Sequence, residues 1–554
     1  MGGKAPRRTK VDSTARLSDL QLRSEQKAGG GFGEYRHLMT RANLNEDLSM
    51  WKADARRDFL YLTIASFVVF SLYLFKIGRT PTFGGDSPEY LYFFQLRPVG
   101  YPIFVNAIRS VTGGLSALPA AQLLILVTST LYLCISIRKF SKSSIVAWSI
   151  FVLCSANGYI MIKLAGFVMS EALSISLTSA YVAAALAFRG RPTTANAMLK
   201  ALFAAAAISV RPINIVVFVA DFAITSTSLA SRRSRLGFLV ISAVFGAAGL
   251  LLTPFLFTQI HGNAAKGSPF ANDVFQKAIF LSKLNEEAVK FCVGDKIFDD
   301  VVYLRSYVSS APSVYQEYIE HRLSDYYLGR IVKPTLAKDG GLDATWKTDA
   351  PLLCATSRLI RDNPIEAVLG AIGDTLRLAT AHTMLPTGAH DDFAAFVVSH
   401  PPVLPPPTPL PLLDEELEKR FNSEYGASAA LPGYTALEVL SPQSRESRLF
   451  DYVTRGPAAL VVLSALGALL SGVFFAKQLR SEEIEAAACL SLIPLLGISI
   501  TAAVTFPQVR FFWAYWPVLS VVAILFAAGM ARWAGRKFPE WSRRALGRQI
   551  FRGC

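Results

Sequence analysis

Charge is scarce in this chain. Only 18% of its 554 residues are Asp, Glu, Lys or Arg, while 52% are hydrophobic and the mean hydropathy is +0.36. That balance excludes a disordered or fibrous protein as a description of the whole, because such chains bury too little apolar surface. It also argues against an ordinary soluble enzyme, because the apolar residues are gathered into long runs. Cysteine is scarce as well, at six residues. No CxxC pair or metal-finger spacing occurs, which removes zinc-ribbon and thioredoxin-like readings. Cys134, Cys154 and Cys489 fall in apolar runs and Cys554 in the C-terminal tail. Only Cys292 and Cys354 stand in a polar segment where oxidation can occur, and the sequence leaves open whether they pair. There is no internal repeat and no cleavable signal pattern, since the first 58 residues are polar and the first apolar run is already of span length. Gly2 does not open a myristoylation motif, because position 6 is Pro6.

What is present is a series of apolar stretches. A bilayer core of about 30 Å needs about 20 mainly apolar helical residues to cross it. Ten stretches meet that description: 59–77, 117–137, 143–162, 166–188, 194–210, 212–230, 236–260, 456–477, 483–504 and 511–531. The expected fold is therefore an all-α polytopic membrane protein of about ten transmembrane helices. Its expected divisions are a basic tail over 1–58, a seven-span module over 59–260, an extracytoplasmic domain over 261–455, a three-span module over 456–531 and a basic tail over 532–554. The first tail is expected to be disordered to roughly Asn43 and to end in a surface helix near Leu48–Phe59.

Orientation follows from Lys and Arg in the short connections. Arg138, Lys139 and Lys142 follow the second span, Arg189 and Arg191 the fourth, Arg232, Arg233 and Arg235 the sixth, and Lys477 and Arg480 the eighth. All of these fall on one side if both termini are cytoplasmic. The region 194–230 must then cross twice, around Arg211-Pro212. The segment 261–455 faces outward and carries 19 bases against 25 acids, a net of −6, which leaves +21 for the remainder. The overall charge of +15 is thus a signal of topology and anionic lipid rather than of nucleic acid. The implied location is a bacterial inner membrane, with the endoplasmic reticulum as the alternative.

The outward segment is too long for a plain connection. Helical patterns appear over 272–292, 313–330 and 363–385, the last starting at Asn363-Pro364 with proline at the first helical position. Seven of the eleven residues from Pro401 to Pro411 are proline, so this run reads as extended polyproline, a stiff linker or a lid. Among the histidines only His382 and His390, near Asp391 and Asp392, approach metal-ligand spacing, and solvated loop histidines explain them as well.

The most informative connection is 78–116. It contains Phe83-Gly84-Gly85-Asp86-Ser87-Pro88-Glu89-Tyr90-Leu91 and then Arg97-Pro98-Val99-Gly100-Tyr101-Pro102. Short amphipathic helices over Asp86–Gln95 and Tyr101–Val111 would lie along the membrane surface. Lys163 and Glu171 bracket the next outward turn, Arg211 caps the fifth span and Arg510 precedes the last. Charges near hydrocarbon cost up to about 3 kcal/mol each, so they have partners or tasks. Glu171 can pair with Lys163, and Arg510 can snorkel to the interface. One acid among several cations on one face also suits a lipid phosphate beside a general base.

These residues resemble the GT-C superfamily of polyprenyl-phosphate-sugar-dependent glycosyltransferases, which includes protein O-mannosyltransferases and the aminoarabinose transferase of lipid A. The similarity rests on the GDSxxYL run after the first span, the following RPxGYP, Ser170-Glu171-Ala172-Leu173, Arg211-Pro212 and the Arg-aromatic run before Pro517. It covers 59–260 well and 456–531 loosely, and 261–455 by position only. The resemblance implies a GT-C-like bundle, Asp86 as the general base and Arg97 as a contact to the donor phosphate. Many relatives carry Lys at that place. It further implies Tyr90 and Tyr101 lining the sugar pocket, with Lys163, Glu171, Arg211 and Arg510 in the same donor site. No cofactor is firmly implied; Asp86 with Glu89 can help hold a divalent ion such as Mg or Mn. The partners implied are a polyprenyl-phosphate sugar and a glycan, lipid or protein acceptor. Two other classes fit less of the pattern. A transporter or flippase of lipid-linked sugars would place charges near mid-membrane. A polysaccharide polymerase or ligase would use arginines and a histidine of the large outer segment.

Overall fold

The computed structural model describes residues 32–78, 81–83, 87–92, 97–228, 231–261, 269–337, 348–379, 390–404, 419–421, 423–424, 448–475, 481–505 and 509–537. Among them there is no strand, only an isolated parallel bridge between Thr82 and Phe167. The chain forms two compact units, Met1–Leu60 and Tyr61–Cys554. Helix α1 (Phe32–Ile77) belongs to both. Helix thus begins at Phe32, earlier than the disordered tail expected to run to Asn43. Within the first unit Arg57 pairs with Asp54 one helical turn earlier, at 3.1 Å.

The second unit continues with two short helices, α2 (Ser87–Leu91) and α3 (Gly100–Thr112), then α4 (Leu118–Ser141) and α5 (Ser144–Ser155). A π-helical turn follows at Tyr159–Leu164, then α6 (Glu171–Gly190), α7 (Thr194–Val210), α8 (Ile215–Ser226) and α9 (Arg232–His261). After a block of shorter helices come α18 (Arg448–Phe474), α19 (Glu482–Val504), α20 (Val509–Trp513) and α21 (Trp516–Lys537). Six described helices are long and apolar enough to cross a membrane: Asp54–Ile77, Leu118–Ser141, Glu171–Gly190, Arg232–Ile260, Glu482–Val504 and Trp516–Lys537. The other four expected spans are also helical: shorter apolar helices lie at Ser144–Ser155, Thr194–Val210 and Pro212–Ser226, and Ala458–Phe474 is the apolar part of α18. The third expected span is interrupted where α5 ends and the π turn begins. The fifth and sixth are separated by backbone chemistry. A residue before proline is pushed out of the helical region, and Arg211 is extended at φ −145°, ψ 121°.

Helices of the two membrane modules share one core, from Leu62 to Phe238 and from Ala458 to Leu525. Small residues let backbones approach closely where hydrocarbon supplies no hydrophobic drive. A Cβ on Gly249 of α9 would lie 2.8 Å from the carbonyl oxygen of Ala205 on α7, so only glycine permits that crossing. Several bases that orient the chain also join the modules. Arg189 pairs with Glu485 and donates to Thr227 Oγ1 at 3.1 Å. Arg532 pairs with Glu483 and donates to the Ser141 carbonyl at 2.6 Å. Both acids stand in the first turn of α19, where the helix dipole favours negative charge.

Lys200 and Asp221 lie fully buried between α7 and α8, although neither stood out in the sequence. Lys200 Nζ donates to Asp221 Oδ1 at 2.5 Å, Thr225 Oγ1 at 2.9 Å and Ser242 Oγ at 3.1 Å. The hydroxyl of Tyr181 donates to the same carboxylate at 3.3 Å.

The helices between the two membrane modules form a separate core running from Ala271 to Val397. They are α10 (Pro269–Ala278), α11 (Glu286–Val293), α12 (Asp295–Ser310), α13 (Ser313–Tyr327), α14 (Lys333–Ala337), α15 (Asp349–Asp362), α16 (Pro364–Ala379) and α17 (His390–Ser399). The helix expected over 272–292 is broken at 279–285, where Asn285 caps α11 by accepting from the Ala288 N–H. Cys292 and Cys354 form a disulfide that joins α11 to α15 across 62 residues. Closing a loop of that length removes about 4 kcal/mol of unfolded-chain entropy in the simplest treatment. Most of the proline run lies outside the described residues, as do His382 and the side chains of His390 and Asp391; residues 401–404 are described and are not helical.

A charged cluster ties this domain to the bundle. Lys277 Nζ sits 2.5 Å from Asp374 Oδ2 and donates to the carbonyls of Ala502 and Thr505 at the end of α19. Arg377 pairs with Glu317 at 3.1 Å. Burial pushes the carboxyl of Glu320 up from its ordinary 4.5 to about 7, with Glu317 and Asp374 adding to the rise and Arg377 and Arg305 opposing it.

Two outcomes follow from these networks. Asp221→Leu strands an ammonium in the bundle and is expected to cost about 3 kcal/mol, with Lys200→Met similar. The double variant should recover most of that loss in thermal unfolding in detergent. The folded domain holds a proton on Glu320 that the unfolded chain releases, so stability should decline as pH rises from about 4.5 to about 7. Glu320→Gln should flatten that slope in melts recorded across the same window.

Candidate functional site

The connection between α1 and α4 is fastened to the turn between α5 and α6. The Thr82 N–H donates to the Gly166 carbonyl and the Val168 N–H to the Thr82 carbonyl, each at 2.9 Å. Ser87 Oγ donates to the Val168 carbonyl at 3.1 Å. The amide of Gln122, on α4, is the hub of this arrangement. Its Nε2 donates to the carbonyls of Ala165 at 2.8 Å and Phe167 at 2.9 Å, and its Oε1 accepts from the Tyr101 hydroxyl at 2.9 Å. The rings of Tyr90 and Tyr101 meet edge to face at 4.9 Å, and the Tyr90 hydroxyl lies 3.1 Å from Ser170 Oγ. Burial, aided by Tyr90 and Glu171, holds the Tyr101 phenol well above its ordinary value, so it stays a proton donor.

Two arginine–acid pairs flank these tyrosines. Arg97 pairs with Glu89, and its guanidinium stands 5.4 Å above the Tyr90 ring. Arg211 pairs with Glu171 at 3.3 Å and stands 5.7 Å above the ring of Phe511. Glu171 is only 3% exposed and begins α6, where the N-terminal dipole favours a carboxylate. The sequence offered Lys163 as a partner; the structure shows a pair with Arg211. Lys163 itself sits in the π turn, its carbonyl accepting from the Phe167 N–H at 3.1 Å. A small cleft opens beside Arg211, lined also by Ser174, Asn214, Thr501, Phe511 and Tyr515. Asn214 Nδ2 fixes its floor by donating to Ser174 Oγ at 2.9 Å and to the Ala207 carbonyl at 2.7 Å.

Of the expected site residues, Arg97, Tyr90 and Tyr101 are joined by side-chain contacts and Glu171 pairs with Arg211; the two groups adjoin where Tyr90 meets Ser170, the residue before Glu171. Asp86 lies outside the described residues. Arg510 belongs to α20 next to Phe511, and its side chain lies outside the described ones. Among the described residues no group of three His, Cys, Asp or Glu side chains can hold a metal ion. Glu89, considered for such a role together with Asp86, has its carboxylate engaged by Arg97.

The sequence reading missed three elements. Gln122 carried a readable signal, being an amide inside an apolar run. Gly100 carried another: a Cβ there would lie 2.7 Å from the Ser209 carbonyl oxygen, so glycine lets the start of α3 rest on the end of α7, two residues before Arg211. The third is a distant strap. Glu424 accepts from the Tyr92 hydroxyl at 2.6 Å and pairs with Arg109. Arg420 stands 4.6 Å above the Tyr92 ring. Phe421 is buried against Phe83, edge to face at 5.4 Å, within the same apolar cluster as Tyr90 and Tyr101. Nothing local in the sequence indicated that pairing.

No family model matches the chain, and neither a curated protein nor a solved structure matches it.

Gly100→Ala must push α3 away from backbone rather than from a flexible side chain. It is expected to cost about 1–3 kcal/mol as an overpacked contact. The shift should appear in thermal melts, accompanied by increased exposure of Tyr90 and Tyr101 in tyrosine-directed chemical labelling.

Proposed function

We propose that this chain is a membrane glycosyltransferase that moves a sugar from a polyprenyl-phosphate donor to a hydroxyl acceptor on the extracytoplasmic side. The observation that carries the reading is the pair of arginines, each held by an acid and laid over an aromatic ring, one over Tyr90 and the other on Glu171, the residue after the Ser170 that Tyr90 meets. Such cations suit the phosphate of a lipid-linked sugar, since guanidinium groups bind phosphate through paired N–H donors. The disulfide supports the assigned sidedness, because its two cysteines lie in the segment read as outward and disulfides persist in oxidising compartments. The family resemblance of the motifs supports the same chemistry.

In this mechanism the Asp86 carboxylate takes the proton of the acceptor hydroxyl. The freed oxygen attacks the anomeric carbon from the face opposite the phosphate. The bond between that carbon and the phosphate oxygen breaks, and the electron pair leaves with the lipid phosphate. Arg97, Arg211 and Arg510 stabilise the charge that gathers on it. Displacement in one step inverts the anomeric centre. Lys163 adds positive charge to the same end of the bundle, and Tyr90 and Tyr101, both buried, back the site from behind instead of touching the sugar as the resemblance implied. A divalent ion, if one takes part, would draw on Asp86 together with a Glu89 released from Arg97.

Asp86→Asn should lower turnover by about 10²–10⁴-fold while leaving donor binding in place. Near-normal turnover would reject the base. Arg97→Ala should weaken donor binding. Glu89→Gln should strengthen it, because Arg97 then need not leave a carboxylate to meet the phosphate. Loss of all activity in Glu89→Gln would instead point to a role as metal ligand. The decisive measurement is incubation of the purified protein with a panel of polyprenyl-phosphate sugars and mass spectrometry of the released lipid.

One observation favours a second reading. The buried Lys200–Asp221 pair lies inside the bundle, where transporters of charged or lipid-linked cargo keep ionisable residues. Movement of a lipid-linked sugar across proteoliposomes without chemical turnover would select that alternative.

A further inference from the structure

Helix α16 has a face that the rest of the protein does not explain. Ile365, Val368, Leu369, Ile372 and Leu376 are each more than half exposed. Their spacing gathers them into an arc of about 100° along the whole helix. No charge interrupts that arc. The charged side chains of α16 point elsewhere and are occupied. Glu366 accepts from the Ser282 N–H at 3.0 Å and from its hydroxyl at 2.6 Å. Asp374 meets Lys277, and Arg377 meets Glu317. The remaining side of the helix belongs to the membrane bundle. Leu378 is buried in the core shared by the spans, and α16 packs along α19 and touches α18. Helix α18 exposes its own apolar row at Leu460, Leu463, Leu466 and Leu470.

We propose that α16 is seated in the bilayer leaflet on its side of the membrane and that its apolar row is a lipid-binding face that docks the domain between the two membrane modules onto acyl chains. The partner is lipid rather than protein because α16 touches α18, an apolar helix of the membrane module that exposes a leucine row of the same character. Sixteen residues reach about 24 Å, so the helix lies in one leaflet or along its boundary and does not cross. Left in water, five such side chains would form a patch of the kind that drives association. The charged face and the lipid face then act together: the first grips the domain, the second holds it at a fixed height over the site. This inference is independent of the proposed reaction.

The test uses the full chain with Cys554→Ser, reconstituted in phosphatidylcholine–phosphatidylglycerol bilayers. Spin labels are attached to Val368→Cys, Ile372→Cys and Leu376→Cys, with Ser310→Cys as the water-exposed reference and Leu369→Cys in reserve should one variant fail to assemble. Collision with molecular oxygen is compared with collision with a water-soluble nickel chelate. A ratio several-fold higher at the α16 positions than at Ser310→Cys is expected. A ratio equal to that of the reference overturns the proposal in favour of a water-exposed face. Exclusion of both reagents overturns it in favour of a face covered by protein.

Discussion

A carboxylate held almost out of reach of water must be neutralised, and the way Glu171 is neutralised organises one end of this protein. Its partner is Arg211, which can reach it because Pro212 ends α7 at that point and forces the backbone to extend. The same break sets Asn214 under the turn, where it holds Ser174 and the Ala207 carbonyl. Gly100 then lets the first outer connection rest on the last turn of α7. Gln122 binds Tyr101 and the backbone ahead of Glu171 in one amide. A single electrostatic requirement thus fixes α3, α4, α6 and α7 relative to one another, and the arrangement leaves two guanidinium groups over aromatic rings.

The helical nature of the chain was legible because hydrocarbon admits few alternatives to helix. All ten apolar stretches are helical, yet only six described helices have span length and composition. One local cause is the π turn after α5, which divides the run 143–162 that hydropathy alone joins. The site was legible in part. Glu171 and Arg211 stood out as charges beside apolar runs, and Tyr90, Arg97 and Tyr101 came from the motif resemblance; in the structure the first two pair and the other three touch one another. The pairing of Glu171 with Arg211 was not legible, since the two are near only in space. Lys200 and Asp221 escaped because each is a single polar position in an otherwise apolar run, and only the packing of α7 against α8 reveals them as a pair.

The domain between the membrane modules obeys different physics. It has a hydrophobic core of its own and a disulfide. It meets the bundle through ions rather than through apolar packing alone. Lys277 spans the junction, with a carboxylate on one side and helix-end carbonyls on the other. Glu320 sits next to this junction, and burial together with the nearby carboxylates of Glu317 and Asp374 raises its affinity for a proton.

The strap formed by Arg420, Phe421 and Glu424 has a consequence for how the protein is made. Tyr92 and Glu424 are separated by 332 residues, and Arg109 and Glu424 by 315. At roughly 5–20 residues per second, a ribosome needs on the order of 15–60 s to travel that distance. For that interval the nascent connection lacks Phe421 and Glu424, and its aromatic cluster is incomplete. Completion of the cluster therefore belongs to the late stage of biogenesis, and a chain released before residue 424 would lack the contacts that Glu424 makes with Tyr92 and Arg109.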